Sequence, residues 1–145
     1  MHAPDPHYRD IVERGFREAA FLNEIGITLV DCGPGWCESI LRILPRHLQH
    51  TGVIHAGVQT TIADHTAGGA AMTVTPADGY ILTVEFKMQL LRAGIGDALW
   101  CRAQILKPGK AFHVVESEVY AMKDDKKTLV SKLSGTMAVV ARNGA

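Results

Sequence analysis

Residues 55–68 read HAGVQTTIADHTAG, and nearly every position in this stretch is small or apolar. A segment without a polar face forms a helix only where protein surrounds it. The pair Gly68-Gly69 costs about 1 kcal/mol per residue in helix propensity relative to alanine. That cost indicates that another backbone approaches closely there. We therefore predict a central, buried helix over residues 56–73.

Strand-like segments lie on both sides of this predicted helix. Before it, the residues favour a helix at 6–22, two strands at 25–33 and 36–44 around Gly33-Pro34-Gly35, and a loop at 45–54. After it, they favour strands at 80–92, 97–107, 111–123 and 128–141. This order predicts one α+β domain over residues 1–145, in which an antiparallel sheet of about six strands wraps around the helix, a hot-dog arrangement. Because one sheet covers only part of such a helix, we expect a second copy of the chain to cover the rest.

Composition argues against several classes of function. The chain has 15 basic and 15 acidic residues and a formal net charge of zero, which disfavours nucleic acid or a membrane surface as a partner. No apolar run is long enough to cross a bilayer, and the first residues are polar, so we expect a cytoplasmic protein. Its three cysteines, Cys32, Cys37 and Cys101, make no disulfide framework, and its seven histidines form no His-x-x-x-His pair. We expect reduced thiols, no metal and no cofactor.

Three stretches carry a family resemblance. They are GVIHAGVQTTIADHTAGGAA at 52–71, ILTVEFKMQLLRAGIGD at 81–97 and KPGKAF at 107–112. Together they resemble the PaaI-like acyl-CoA thioesterases, which are hot-dog proteins of the 4-hydroxybenzoyl-CoA thioesterase superfamily, and the spacing from His55 to Asp64 is the family's. The chain departs from the family in having Ala56 where members have glycine. It also has Gln49 where many members have asparagine.

Asp64 is the candidate catalytic carboxylate. Poor solvation among small apolar residues makes a carboxylate a stronger base, and hydrolysis of a thioester needs a base or a nucleophile near neutral pH. At the helix start, Ala56 and Gly57 offer free backbone N–H groups and the positive end of the helix dipole to the thioester oxygen. From His55 to Asp64 a helix rises about 13 Å, too far for one chain to supply both parts. The resemblance implies that the two parts come from opposite subunits of a dimer.

The other candidates each keep a second interpretation. Asp64 could instead be an N-cap, if a helix began at the next residue. His55 either takes part in the site or holds the loop. The remaining candidates are Gln49 as a substrate or water contact, Thr83 at the position that resembles the family's water-holding hydroxyl, and Arg92, Lys107 and Lys110 as contacts to coenzyme A phosphates. Each of these five side chains could also be simply solvated.

We predict hydrolysis of an acyl-CoA to a free acid and coenzyme A, by a homodimer or a dimer of dimers. A non-catalytic acyl-CoA-binding module is the main alternative, because the chain departs from the family at Ala56 and Gln49. An acyl-thioester dehydratase is less favoured, because there is no His-Phe-Pro stretch and no glutamate in the helix. The chain also lacks a Gly-x-Ser-x-Gly elbow, and no cysteine lies near the motif, which argues against a serine or cysteine nucleophile.

Overall fold

The computed structural model describes residues 1–142, and its elements follow the predicted order. The helices are α1 (Tyr8–Glu18), α2 (Ala20–Ile25) and the long α3 (Ala56–Met72), with a single 3-10 turn at Pro45–His47 in this part of the chain. The strands are β1 (Thr28–Gly33), β2 (Trp36–Arg42), β3 (Gly79–Leu90), β4 (Ala98–Pro108), β5 (Phe112–Lys123) and β6 (Lys126–Ala141). The predicted central helix and the predicted number of strands are therefore confirmed.

All six strands belong to one antiparallel sheet in the order β1-β2-β4-β5-β6-β3. This order places β1 and β3 at the two edges. The helix α3 packs against the inner face, and its residues Ile62, Ala63, Ala67 and Ala70 have no exposed surface. The predicted hot-dog arrangement, a sheet wrapped around a central helix, is confirmed.

The single helix predicted over residues 6–22 is wrong, because the chain breaks it at Ala19. This residue has an extended backbone (φ −72°, ψ 100°) and separates α1 from α2. The second helix ends at Gly26, whose φ of 98° is left-handed and suits a residue without a Cβ. The strand predicted from residue 25 therefore begins only at Thr28. Sequence periodicity did not reveal the break, since Ala19 and Ala20 are both good helix formers.

The small residues of α3 allow close packing at one of the two predicted positions. A Cβ on Gly69 would lie 2.8 Å from Cys37 Sγ and 3.2 Å from the Phe16 ring. A Cβ on Gly68 would meet nothing within 4 Å. The close approach expected for the pair therefore occurs at Gly69 only, and its neighbours are side chains rather than backbone.

The three cysteines are buried and free, as predicted. Burial raises the pKa of the Cys101 thiol to about 12, and burial likewise raises the pKa of Cys37. A thiol with a raised pKa is a poor nucleophile at neutral pH. These residues are therefore structural parts of the core.

Candidate active site

Asp64 lies inside α3, where its carboxylate meets the edge strand β3. Its Oδ1 accepts a hydrogen bond from the Thr83 hydroxyl at 2.9 Å. The N-cap alternative is wrong, because α3 already begins at Ala56. In the single chain the Asp64 side chain is partly exposed, so the expected poor solvation among apolar neighbours does not hold. Its sequence neighbour Ala63 points into the core, whereas Asp64 lies on a different side of the helix.

A β-bulge in β3 orients Thr83 toward Asp64. The pairing of β3 with β6 slips by one residue at Val84. Because of this extra residue, Thr83 and Phe86 both lie on the face of the sheet that carries α3, although three residues along a regular strand would place them on opposite faces. The partner of Thr83 in β6 is Met137, which is buried in the core.

An open pocket of about 290 Å³ lies beside Asp64. Its walls are Ala19, Phe21 and Leu22 from the N-terminal segment, Thr60, Thr61, Asp64 and His65 from α3, and Phe86 from β3. The His65 ring packs edge-on against Phe16, with ring centroids 4.6 Å apart. Burial lowers the pKa of His65 and outweighs the opposite effect of the Asp64 carboxylate. A neutral imidazole therefore lies next to the carboxylate at neutral pH.

The start of α3 forms the second group of predicted residues. His55 is the N-cap, and its Nδ1 accepts a hydrogen bond from the Gly57 N–H at 2.8 Å. The prediction that both N–H groups are free is therefore wrong for Gly57. The Ala56 N–H is one of those that a helix start leaves without an intrahelical acceptor, and it has no other acceptor within residues 1–142. His55 therefore caps the start of α3, and its part in the site stays a prediction.

Gln49 and Arg92 line a groove of about 340 Å³ together with Ala56. The Gln49 amide donates a hydrogen bond to the Thr51 hydroxyl, and the Arg92 guanidinium donates to the Leu129 carbonyl at 3.1 Å. The loop that carries Gln49 contains a narrow turn. The Gln49 backbone N–H donates to the Val53 carbonyl at 2.9 Å and closes this turn.

The two groups of candidates do not meet within one chain. The pocket at Asp64 and the groove at Ala56 share no lining residue. Ala56 and Asp64 themselves are about 12 Å apart along the helix axis. Two of the predicted phosphate contacts, Lys107 and Lys110, are exposed beside the β4–β5 turn. His113 follows that turn, and its Nε2 lies 3.3 Å from Thr75 Oγ1, just beyond the C-terminal end of α3. Arg92 lies at the opposite end of the helix, beside Ala56. The structure therefore does not bring these lysines near Arg92 within one chain.

Only Asp64 among the eight lining residues of this pocket was a candidate from the sequence. The three aromatic lining residues, Phe21, His65 and Phe86, were among those missed. The helix break and the β-bulge that place the two phenylalanines depend on tertiary contacts and leave no periodic signal. His65 directly follows the candidate carboxylate in the sequence, and this position could have marked it as a candidate site residue.

The model of the thioesterase superfamily matches residues 51–128, which is more than half of the chain and includes Asp64 and the start of α3. This protein belongs to the thioesterase superfamily. A thioesterase family protein from Silicibacter pomeroyi is 26% identical, with 92% of this chain and 98% of that chain covered and a TM-score of 0.90. A conserved protein from Pseudomonas aeruginosa is 30% identical, with 84% and 94% covered and a TM-score of 0.77. A search of curated proteins finds no significant match.

The PaaI protein of the phenylacetic acid degradation operon of E. coli has the same fold. It is 20% identical, with 87% of this chain and 88% of that chain covered and a TM-score of 0.77. The resemblance to hot-dog thioesterases is thus confirmed. Membership of the superfamily supports a hydrolase and the cleavage of a thioester as the general reaction.

The described residues were also compared with the requirements of a metal site and of a membrane-spanning helix. Within residues 1–142, no group of three or more His, Cys, Asp or Glu side chains is placed to hold a metal ion. No helix in the same range is long and apolar enough to cross a membrane.

Proposed function

We propose that this protein hydrolyses an acyl-CoA thioester to a carboxylic acid and coenzyme A, with Asp64 as the catalytic carboxylate. The observation that carries the proposal is the 2.9 Å hydrogen bond from Thr83 to Asp64 at the wall of an open pocket. A carboxylate that is oriented and accessible can take a proton from an attacking water, or attack the thioester carbonyl itself. Both routes use the same carboxylate and the same pocket.

The backbone N–H of Ala56 would stabilise the negative charge that develops on the thioester oxygen. This donor lacks an acceptor within residues 1–142 and sits at the positive end of the 17-residue helix α3. A single donor of this kind typically lowers the barrier by about 3 kcal/mol. Gly57 would become a second donor only if His55 Nδ1 released its N–H.

We propose that the active unit contains two chains, with Asp64 of one facing the α3 start of the other. The separation of the two groups within one chain supports this arrangement. So does the edge strand β3, where Leu82, Val84 and Leu90 are each more than half exposed. An edge strand with exposed apolar side chains normally pairs with another chain or is covered. A dimer of dimers would contain the same two-chain site.

Such a dimer would also explain the scattered basic residues. If two β3 strands paired antiparallel about a two-fold axis, the β4–β5 turn of one chain would lie toward the α3 start of the other. Lys107 and Lys110 of one chain and Arg92 of the other would then contact the same coenzyme A. Arg92 already lines the groove at Ala56.

A non-catalytic acyl-CoA-binding module is the second candidate. It is favoured by the capping of Gly57 by His55, which leaves one backbone donor instead of two. A binding module would hold an acyl-CoA in the same groove and pocket without cleaving it.

Release of free thiol from a panel of acyl-CoAs distinguishes the two candidates. The wild-type protein should release thiol, and Asp64→Asn should lower kcat by about 100-fold, the usual scale for a lost general base. Asp78→Asn is the matched control, because Asp78 is exposed in the turn before β3 and remote from the pocket lining. Binding of acyl-CoA without thiol release would favour the module. Full turnover by a folded Asp64→Asn protein would exclude the proposed role of Asp64.

A further inference from the structure

We propose that the pocket beside Asp64 receives the acyl group, and that Phe21 and Phe86 select an apolar acyl chain of medium length. Acetyl groups and acyl groups with a charged end would be poor substrates. The proposal rests on the proposed function, because it takes Asp64 as the reacting carboxylate.

The two phenylalanine side chains are exposed on the same concave surface. Phe21 is 68% exposed and Phe86 is 41% exposed, and both line the 290 Å³ pocket that contains Asp64. Large apolar side chains that converge on one concave surface mark a binding site more often than isolated ones do. An acyl chain whose carbonyl lies at Asp64 would cover both rings.

The backbone holds Phe21 in place without help from its own side chain. The next residue, Leu22, is buried in the core, and its carbonyl accepts hydrogen bonds from Gly26 at 2.8 Å and Ile27 at 3.2 Å. The Asn23 side chain ties α2 to α1 by donating to the Arg17 carbonyl at 2.8 Å. The backbone that carries Phe21 is therefore fixed beside the pocket.

Phe86 is held by the bulge and by the residue opposite it. Its partner in β6 is Gly135, where a Cβ would lie 3.1 Å from the Phe86 Cβ and 2.9 Å from the Glu85 carbonyl oxygen. Glycine at this position therefore gives β3 the room to bring the Phe86 ring to the pocket. Two separate irregularities, the break at Ala19 and the bulge at Val84, thus converge on the same small surface.

The polar groups of the pocket favour an uncharged chain. Among residues 1–142, no lysine or arginine lines it, and Asp64 is the only acidic residue that does. The hydroxyls of Thr60 and Thr61 already donate to the Ala56 and Gly57 carbonyls at 2.8 Å. A carboxylate at the end of an acyl chain would therefore enter a pocket that offers it no counter-ion, whereas a hydrocarbon chain would meet apolar walls.

The test compares three thioesters in one assay. Hexanoyl-CoA and adipoyl-CoA have the same number of acyl carbons, and adipoyl differs by its terminal carboxylate; acetyl-CoA is the short reference. Hexanoyl has four more methylenes than acetyl, and one fully buried methylene is worth about fourfold in affinity. Hexanoyl-CoA should therefore exceed acetyl-CoA in kcat/KM by about 15-fold, even if the pocket buries only half of the chain. It should exceed adipoyl-CoA by a similar factor.

Phe21→Ala and Phe86→Ala should each lower the ratio of kcat/KM on hexanoyl-CoA to kcat/KM on acetyl-CoA by about fivefold or more. Phe112→Ala is the matched control, because Phe112 is 53% exposed at the start of β5, away from the pocket. It should leave all three rates unchanged. Light scattering on each variant tests whether the rings instead pack against a second copy.

The proposal is overturned if Phe21→Ala and Phe86→Ala both keep the wild-type ratio, or if the wild type prefers acetyl-CoA or adipoyl-CoA. Dissociation of the dimer with an equal loss on every substrate would also overturn it, since the rings would then be interface residues.

Failure of the proposed function would give a different result, because no acyl-CoA would release thiol. In that case calorimetry with S-hexyl-CoA, a thioether, decides. Tighter binding to wild type than to Phe21→Ala supports the pocket assignment, and equal or absent binding refutes it.

Discussion

Thr83→Val isolates the hydrogen bond between the edge strand and the candidate catalytic carboxylate. The substitution replaces the hydroxyl with a methyl group of similar size and leaves the backbone of the bulge unchanged. The lost bond, 2.9 Å long, has a charged acceptor, and bonds of that kind contribute about 1.5–3 kcal/mol. Since Thr83 is exposed in the single chain, the lower end of that range applies, and kcat should fall by about tenfold.

Steady-state thiol release with the best acyl-CoA of the panel measures this effect. Thr83→Ser keeps the hydroxyl and should keep most of the activity, and the thermal midpoint of each variant should match that of the wild type. In an Asp64→Asn background, Thr83→Val should add little further loss, because the hydroxyl acts by orienting a carboxylate that this background no longer has. A full additional tenfold loss in that background would refute the coupling. So would unchanged kcat in the single variant.

Four further predictions concern the helix start, the loop, the edge strand and the buried imidazole. Ala56→Gly should retain or raise activity, whereas Ala56→Pro, which removes the N–H, should reduce kcat severely in the thiol-release assay with circular dichroism as a check on α3. Gln49→Ala should cost about tenfold, or about 1.4 kcal/mol, and Gln49→Asn should be tolerated in the same assay. Val84→Glu should convert a dimer to an inactive monomer by light scattering, and Val114→Glu, an exposed valine on β5, should not. Burial lowers the pKa of His65 in the folded protein. As the pH falls, the imidazole of the unfolded chain therefore binds a proton before that of the folded chain does. The free energy of unfolding from urea titrations should therefore fall as the pH drops below about 6.5, and His65→Gln should weaken that dependence.

The central helix and the order of strands could be predicted because their signals are local. A long run of small residues with a glycine pair has few ways to be stable, and burial beneath a sheet is one of them. The strands follow from alternating patterns and from Gly and Pro at their ends. The spacing from His55 to Asp64 also placed the two halves of the site on one helix, at its start and in its middle.

The details that shape the site depend on contacts between distant residues. The bulge at Val84 depends on how β3 pairs with β6, and the sequence of β3 alone does not predict it. The break between α1 and α2 falls at Ala19, although Ala19 and its neighbour Ala20 both favour a helix. The bond from the Gly57 N–H to His55 Nδ1 depends on a side-chain rotamer. The poor solvation expected for Asp64 failed because side chains adjacent in a helix point in different directions.

The geometry of α3 connects the candidate chemistry with the need for a second chain. The helix offers a free backbone donor at Ala56 and a carboxylate at Asp64, and about 13 Å of rigid helix from the N-cap separates them. A thioester carbonyl must be reached by both within a few ångströms, so one helix cannot serve a single carbonyl with both groups. Two helices can do so when they lie side by side in opposite directions, because the start of each then lies near the middle of the other. Such close approach requires small residues on the facing surface, and at Gly68 an added Cβ would meet nothing within 4 Å. The exposed apolar edge of β3 beside this surface would give a second chain a strand to pair with. Dimer formation and assembly of the proposed site would then be one event, and a variant that separates the chains should lose activity in proportion to the fraction of monomer.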